Sequence, residues 1–380
     1  MHDYKKIFLL NPDITYLNHG SFGGCPKEIM DKYFELQLKL ENQPIDFLAN
    51  NIEEASKKSR KSLAEYIDCD KDDIVFFPNP STATNMVAKS LQLKKGDEVL
   101  TTNHEYGALV KTWKYICQKS EAKYIEYSPS LPLGSKEDFV EEFVNYISDK
   151  TKIIFISHIT SPTGLIFPVE QICAEARKRN IISIVDGAHA PAHIDLSIND
   201  INPDIYVGAC HKWMLSPKGS SFLYAHKKIQ KKLMPLVISW GWESDRPGES
   251  AFLDHHQWQG TNDFSPYLII PEVIKFLKKY DWNKVSKNCR QLNLKAREDL
   301  LKLFDTSALC YDVSWIGQMS SILLPRCDSL DIYKYLKSKR IEVPIVDWGE
   351  HQIIRISIQA YNTLDDINQL INSLKGYFKL

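Results

Sequence analysis

Seven short apolar segments, each followed by a polar or helix-like stretch, constrain this chain more than any other feature. They are Asp73 to Phe77, Glu98 to Thr101, Lys123 to Tyr127, Lys152 to Ser157, Ile181 to Val185, Asp204 to Val207 and Ser221 to Tyr224. Helix-like segments lie between them at Ser81 to Leu91, Ala108 to Lys119 and Val169 to Arg179. Strands alternating with helices predict a mostly parallel sheet covered on both faces. Strands that are apolar at nearly every position are what such double covering demands. After about residue 265 the pattern changes. Helical segments run from Tyr267 to about Phe304, then come a strand at Ser320 to Leu324, a helix at Asp331 to Lys339 and a strand at Ile353 to Ile358. Thr363-Leu-Asp-Asp366 opens the final helix in the manner of a capping box. The expectation is an α/β fold with an N-terminal arm (1–15), a large domain on a seven-stranded sheet (16–265) and a smaller α+β domain (266–380). A chain of 380 residues suits two such units. The segment from Asn50 to Ile67 reads as a connecting helix, and Gly241 to Ser250 is rich in turn formers.

Charge and cysteine usage narrow the function. Lys plus Arg number 47 against 48 Asp plus Glu, a formal net charge of −1. That balance offers no electrostatic footprint for nucleic acid or an anionic membrane. No apolar run approaches the roughly 20 residues of a membrane span, and the opening MHDYKKIFLLNPD lacks a signal-peptide core. The eight cysteines occur singly without CxxC spacing, which argues against a zinc or dithiol motif. Free thiols in a cytoplasmic protein without a metal centre are expected.

In an open α/β sheet, ligands bind beyond the carboxyl ends of the strands. Asp186 follows Val185 there, and His211-Lys212 follow Val207. Asn79-Pro-Ser81-Thr82 follow Phe77, and His158 to Gly164 follow Ser157. The helix opening at Ser81 and Thr82 offers amides, hydroxyls and a positive dipole end, either as a phosphate seat or as an ordinary cap by Ser81. No GxGxxG or GxxxxGK[ST] follows a strand, which weighs against a nucleotide-dependent oxidoreductase. In GACHKWMLSPKGSSFLY, Lys218 lies between Pro217 and Gly219 and reads as a loop charge; Lys212 follows a buried-looking run. A carboxylate at one strand end, an amine twenty-six positions later and a phosphate seat suit pyridoxal phosphate. That cofactor needs a lysine for its imine, an anion beside its ring nitrogen and donors around its phosphate. The lysine must also lose its proton readily, which burial promotes.

The segments VDGAHAPAHIDL, GACHKWMLSPKGSSFLY and IRISIQAYNTLDDI resemble aminotransferase class V, the fold-type I pyridoxal-phosphate enzymes. YLNHGSFGGCP, NHEYGA, SHITSPTGLIFPV and CHKWMLSPKGS most resemble its isopenicillin N epimerase-like branch. The resemblance implies that Lys212 is the Schiff-base lysine, Asp186 the partner of the pyridine nitrogen and His189 the residue facing the ring hydroxyl. His211, Ser81 and Thr82 would contact the phosphate, with Thr261 reaching the phosphate of a neighbouring subunit in a homodimer. Tyr106 would lie over the ring, with His104 as the alternative. Arg355 would grip the substrate carboxylate, and Asn18 and His19 would lie on the substrate side. Two departures stand out. The cysteine desulfurases of this class carry a nucleophilic cysteine before the carboxylate arginine, whereas VPIVDWGEHQII has none and Cys310 and Cys327 lie further upstream. Three positions before Lys212, Ala209 replaces a polar phosphate ligand common in the family. The resemblance implies chemistry at Cα of an amino acid, as epimerisation, transamination or carbon–sulfur elimination with decarboxylating deamination beside it. The second acid of an epimerase would be Tyr106 or His104. A catalytically silent binding protein on the same fold is the non-enzymatic alternative. Trp240, Trp242 and Trp258 line either an entrance or a structural cluster.

Overall fold

The computed structural model describes residues 4–248 and 250–380. Residues 1–3 of the expected arm, and Glu249 in the turn-rich loop, lie outside the described residues. The central sheet has seven strands in the order Ile74–Phe77, Ser221–Ala225, Ile205–Ala209, Ile182–Gly187, Thr151–Ser157, Glu98–Thr102 and Lys123–Tyr127. All run parallel except Ser221–Ala225, which is antiparallel to both neighbours. Side-chain alternation divides each strand between two cores. Ile74 and Phe76 join the core shared with the C-terminal part of the chain, while Val75 and Phe77 join the core on the opposite face. The covering helices supply matching stripes: Val169–Lys178 buries Val169, Ile172, Cys173 and Ala176, all on one helical face.

Strand order fixes where a ligand can bind. From Glu98–Thr102 the chain first adds Lys123–Tyr127 on one side, then returns to place Thr151–Ser157 on the other. This reversal opens a crevice at the carboxyl ends of those strands. The loops that begin at Asn103 and His158 therefore face each other across it.

The C-terminal part carries a three-stranded antiparallel sheet, ordered Ile345–Trp348, His351–Ser357, Met319–Leu323. Helices Trp282–Phe304, Ser329–Ser338 and Leu364–Phe378 accompany it. The capping box at the last helix forms in full: Thr363 Oγ1 accepts the Asp366 amide and Asp366 accepts the Thr363 amide. The expected boundary at 265/266 falls inside the short helix Ser265–Leu268. The N-terminal segment belongs to both halves. Thr15–Tyr16 pairs in parallel with Ile341–Glu342, and Asn18 bridges to Ser357. Helices Lys27–Asn42, Lys136–Val144 and Ala251–Gln257 were not foreseen; the first has a largely solvated surface and a weak apolar stripe. Among the described residues no helix is long and apolar enough to cross a membrane.

Two chain segments meet at Gly23. Its φ is +70°, and a Cβ there would lie 2.1 Å from the carbonyl oxygen of His211 and 3.0 Å from Cα of Lys212. Neither contact can yield, since both are backbone. Gly23→Ala should therefore cost at least about 2 kcal/mol, from the left-handed conformation and the clash together. Denaturant titration measures this. Thr363→Ala, which removes only one cap, should cost about 1 kcal/mol in the same titration.

Candidate active site

Asp186 sits within the Ile182–Gly187 strand, in register with Ser157 and Val207, rather than just beyond the strand's end. It is buried, and Oδ1 accepts the Ala188 amide at 2.9 Å. Its other oxygen takes no hydrogen bond among the described residues. Burial raises its carboxyl above the usual range, while the Ala188 amide and Lys212 pull it down. A buried carboxylate with a spare oxygen is an acceptor for a cationic N–H.

Lys212 follows the Ile205–Ala209 strand, and its backbone is clamped. The amides of Cys210 and His211 both donate to Ser220 O, and the Leu215 amide donates to Lys212 O at 3.1 Å. The loop closes through Leu215 at φ +65°, a conformation that costs a non-glycine residue about 1–2 kcal/mol. Burial lowers the Lys212 ammonium to about 8; Asp186 opposes the shift and Arg355 adds to it. His189 Nε2 lies 3.3 Å from the amine. Lys218 remains an exposed loop residue whose Nζ donates to Gly23 O at 3.1 Å.

The phosphate seat differs from the sequence reading in one respect. Asn79, not Ser81, caps the helix Pro80–Ser90: its Oδ1 accepts the Thr82 amide at 2.8 Å and the Thr82 hydroxyl at 3.0 Å. Ser81 is thereby released from capping, and among the described residues its hydroxyl makes no hydrogen bond. Asn79 plays this part because its backbone is extended and Pro80 begins the helix, which puts Ser81 inside the first turn. His211 Nδ1 lies 2.8 Å from the Ser220 carbonyl, which can only accept, so Nδ1 carries the proton and Nε2 is the free atom. Burial lowers His211 to about 4, against the pull of that carbonyl. Thr261 is exposed in the loop before Ser265–Leu268.

Arg355 is buried on the His351–Ser357 strand. Nη1 donates to the Ser161 carbonyl and Nη2 to Ser21 Oγ at 2.8 Å, while Nε has no partner. Among the described residues no carboxylate pairs with it, so it is not a surface salt-bridge residue. Desolvation lowers its guanidinium to about 10.

The remaining expected residues divide. Tyr106 is 45% exposed and begins the Gly107–Ser120 helix without capping it. His104 is fully buried. Its Nδ1 lies 2.8 Å from Thr163 Oγ1, and its ring packs against Phe167 and Trp348 at 5.4 and 4.7 Å. Those aromatic walls remove it from the open side of the crevice. Asn18 accepts Ser21 Oγ–H at 2.5 Å and so steadies the hydroxyl that meets Arg355. His19, expected on the substrate side, is instead fully buried. Its Nδ1 lies 2.9 Å from the Tyr361 hydroxyl and its Nε2 3.2 Å from the Lys212 carbonyl. With both nitrogens engaged by the protein, it has no polar atom left for a substrate. Trp240 is 86% exposed and lines, with Trp258, a cavity of about 510 Å³ that also includes Arg60 and Asp72 but none of the residues around Lys212.

Sequence reasoning missed three groups. Ser21 and Ser161 hold Arg355 from 334 and 194 positions away, and no local pattern signals such convergence. Glu105 stands in the quoted NHEYGA segment but drew no attention between His104 and Tyr106. It is buried and accepts Thr102 Oγ–H at 2.7 Å and Ser157 Oγ–H at 2.6 Å. Burial raises it to about 8, the two hydroxyls oppose the shift and Asp186 adds to it. It ties the ends of the two strands that flank the crevice.

Known proteins resemble this chain in sequence and in fold. The family model "Aminotransferase class-V" matches residues 23–370. Isopenicillin N epimerase of Amycolatopsis lactamdurans is 30% identical, across 97% of this chain and 96% of that protein. A probable chloroplastic L-cysteine desulfhydrase of Arabidopsis thaliana is 26% identical, across 96% of this chain and 83% of its own length. Among solved structures, a C-DES mutant with glycine covalently linked to its pyridoxal-phosphate cofactor superposes with a TM-score of 0.85 at 21% identity, covering 98% of each chain. The chain belongs to aminotransferase class V, a fold-type I family whose cofactor is pyridoxal 5′-phosphate.

Proposed function

We propose that this protein acts at Cα of an α-amino acid, with Arg355 gripping the substrate carboxylate and Lys212 moving the α-proton. The observation that carries the reading is Arg355: a buried guanidinium, fixed by Ser161 and Ser21, with no acid among the described residues to neutralise it. A buried unpaired cation is costly, and a substrate carboxylate can meet its planar fork with two hydrogen bonds.

The residues present fit pyridoxal phosphate. Asp186 has a spare oxygen beside Lys212, Ser81 has a free hydroxyl at a helix start, and His211 has a free Nε2. When bound, the cofactor supplies an electron-withdrawing ring that acidifies Cα. Asp186 would hold a proton on the ring nitrogen, and His189 would serve the ring oxygen. Ser81 and His211 would hold the phosphate, with Thr261 from the second subunit of a homodimer, whereas Thr82, expected there too, gives both its amide and its hydroxyl to Asn79. His211 must gain a proton on Nε2 to donate there, since its Nδ1 proton is committed to Ser220. Lys212, lowered to about 8, is about one-tenth free amine at pH 7, and that form can accept a proton from Cα.

Isopenicillin N epimerase-like chemistry is the first reading, supported by 30% identity over nearly the whole chain. It needs a second acid opposite Lys212. Tyr106, half-exposed at the start of its helix, is better placed for that than His104 behind Phe167 and Trp348. Carbon–sulfur elimination is the second reading. It is favoured by the presence of a single buried amine beside Arg355, because elimination needs only one base at Cα. Persulfide chemistry by a cysteine nucleophile is disfavoured. The strands Ile345–Trp348 and His351–Ser357 are joined by the two-residue turn Gly349-Glu350, which leaves neither a cysteine nor a long loop in front of Arg355.

The test is the visible spectrum of the purified protein before and after a panel of L-amino acids, with Cα deuterium uptake, keto acid and sulfide measured in parallel. Deuterium uptake with inversion and no keto acid supports epimerisation. Release of sulfide with keto acid supports elimination. Conversion to the pyridoxamine form identifies an aminotransferase, and a protein that never binds the cofactor overturns the proposal. For whichever substrate responds, Arg355→Lys should raise KM by about 10- to 100-fold, the worth of hydrogen bonds to a charged group. Lys212→Ala should abolish deuterium uptake while leaving the fold intact.

A further inference from the structure

The groups around Lys212 include two donors that have no choice of direction. The indole N–H of Trp213 can only donate, and it reaches Nδ1 of His189 at 3.2 Å. Nδ1 is therefore an acceptor, and a neutral imidazole then carries its proton on Nε2. Nε2 faces Nζ of Lys212 at 3.3 Å. An N–H at that place finds a lone pair only on a free amine; an ammonium would set donor against donor. The layer behind is polarised in the same sense. The Gln318 amide donates to Nε2 of His193 at 2.6 Å, so His193 keeps its proton on Nδ1 and gives it to the His189 carbonyl at 3.0 Å. Trp213 is fully buried, with ring centroids 4.0 Å from His193 and 4.9 Å from His19.

We propose that Trp213 is a positioning residue that fixes the tautomer of His189, so that His189 presents Nε2–H to the reactive centre and favours the free-amine form of Lys212. The proposal rests on the reading of Lys212 as the reactive lysine. No other described hydrogen bond reaches Nδ1 of His189, so the indole alone sets the direction. Other charges act on the pair as well. Burial favours the free amine, with Asp186 against it and Arg355 for it, while burial first, and then the ammonium form of Lys212, Arg355, His193 and His19, oppose a positive charge on His189. The neutral tautomer is thus protected from protonation, and Trp213 decides which nitrogen holds its one proton. Once the cofactor occupies the site, the same N–H serves an acceptor there instead of the amine.

Trp213→Phe keeps the packed ring and removes only the donor. The test is nitrogen-15 NMR of the histidine-labelled full-length protein, with cofactor bound and after its removal; a His189→Gln variant identifies the resonance. Wild type should show His189 protonated at Nε2. In Trp213→Phe the resonances should move toward a mixture of tautomers, and cofactor re-binding at neutral pH should slow by about three- to tenfold, as the amine pKa rises by about half to one unit. A wild-type His189 protonated at Nδ1 overturns the proposal even if the variant does not fold. So does a variant that loses thermal stability while keeping both the Nε2–H tautomer and the re-binding rate, since that describes packing alone. Failure of the underlying reading looks different: wild type then binds no cofactor, while the tautomer is still read directly.

Discussion

Burying an amine is the constraint on which the rest of this structure depends. Lys212 lies beyond a strand end, enclosed by the sheet, the N-terminal turn and the strand that carries Arg355. Taking an ammonium out of water is expensive, and a protein can respond by pairing the charge or by releasing the proton. Here it does both in part. Asp186 favours the charged form, while desolvation and Arg355 favour the free amine, and the balance brings the group down to about 8. A lysine poised so can change protonation state during a reaction, whereas an exposed one stays charged.

That poise needs a fixed backbone, and the chain supplies it from both ends. The loop after Lys212 closes through a left-handed Leu215 and hydrogen bonds to Ser220. From the other side the N-terminal turn brings Gly23 against His211 and Lys212, and His19 against the Lys212 carbonyl. The same turn delivers Ser21 to Arg355. One short segment therefore couples Lys212, the proposed reactive amine, to Arg355, the proposed carboxylate ligand. Its parallel pairing with Ile341–Glu342 and the Asn18–Ser357 bridge anchor it to the C-terminal part as well, so the crevice is walled by pieces from three parts of the sequence.

Carboxyl groups are distributed with equal economy. Asp186 and Glu105 are both buried at strand ends and feel one another, yet only Asp186 lies where Lys212 opposes its shift. Glu105 instead receives the Thr102 and Ser157 hydroxyls and is raised to about 8. Two buried carboxyls this close cannot both ionise cheaply, and Lys212 eases the charged form of Asp186 alone.

The sequence by itself determined the sheet, because double burial requires apolar runs that are visible residue by residue, and it determined the capping box at Thr363, which is local. It also pointed to Asp186, His211 and Lys212, since each lies within a few residues of a strand end and strand ends are legible. The tertiary structure decided what depends on distant partners. It turned His19 inward, and walled off His104 with Phe167 and Trp348. It brought Ser21 and Ser161 to Arg355 across most of the chain, and set Trp213 against His189. Periodicity and turn chemistry act over a few residues and leave a mark in composition. The direction of a buried side chain is chosen by whichever atoms arrive from elsewhere, and a one-dimensional pattern carries no record of them.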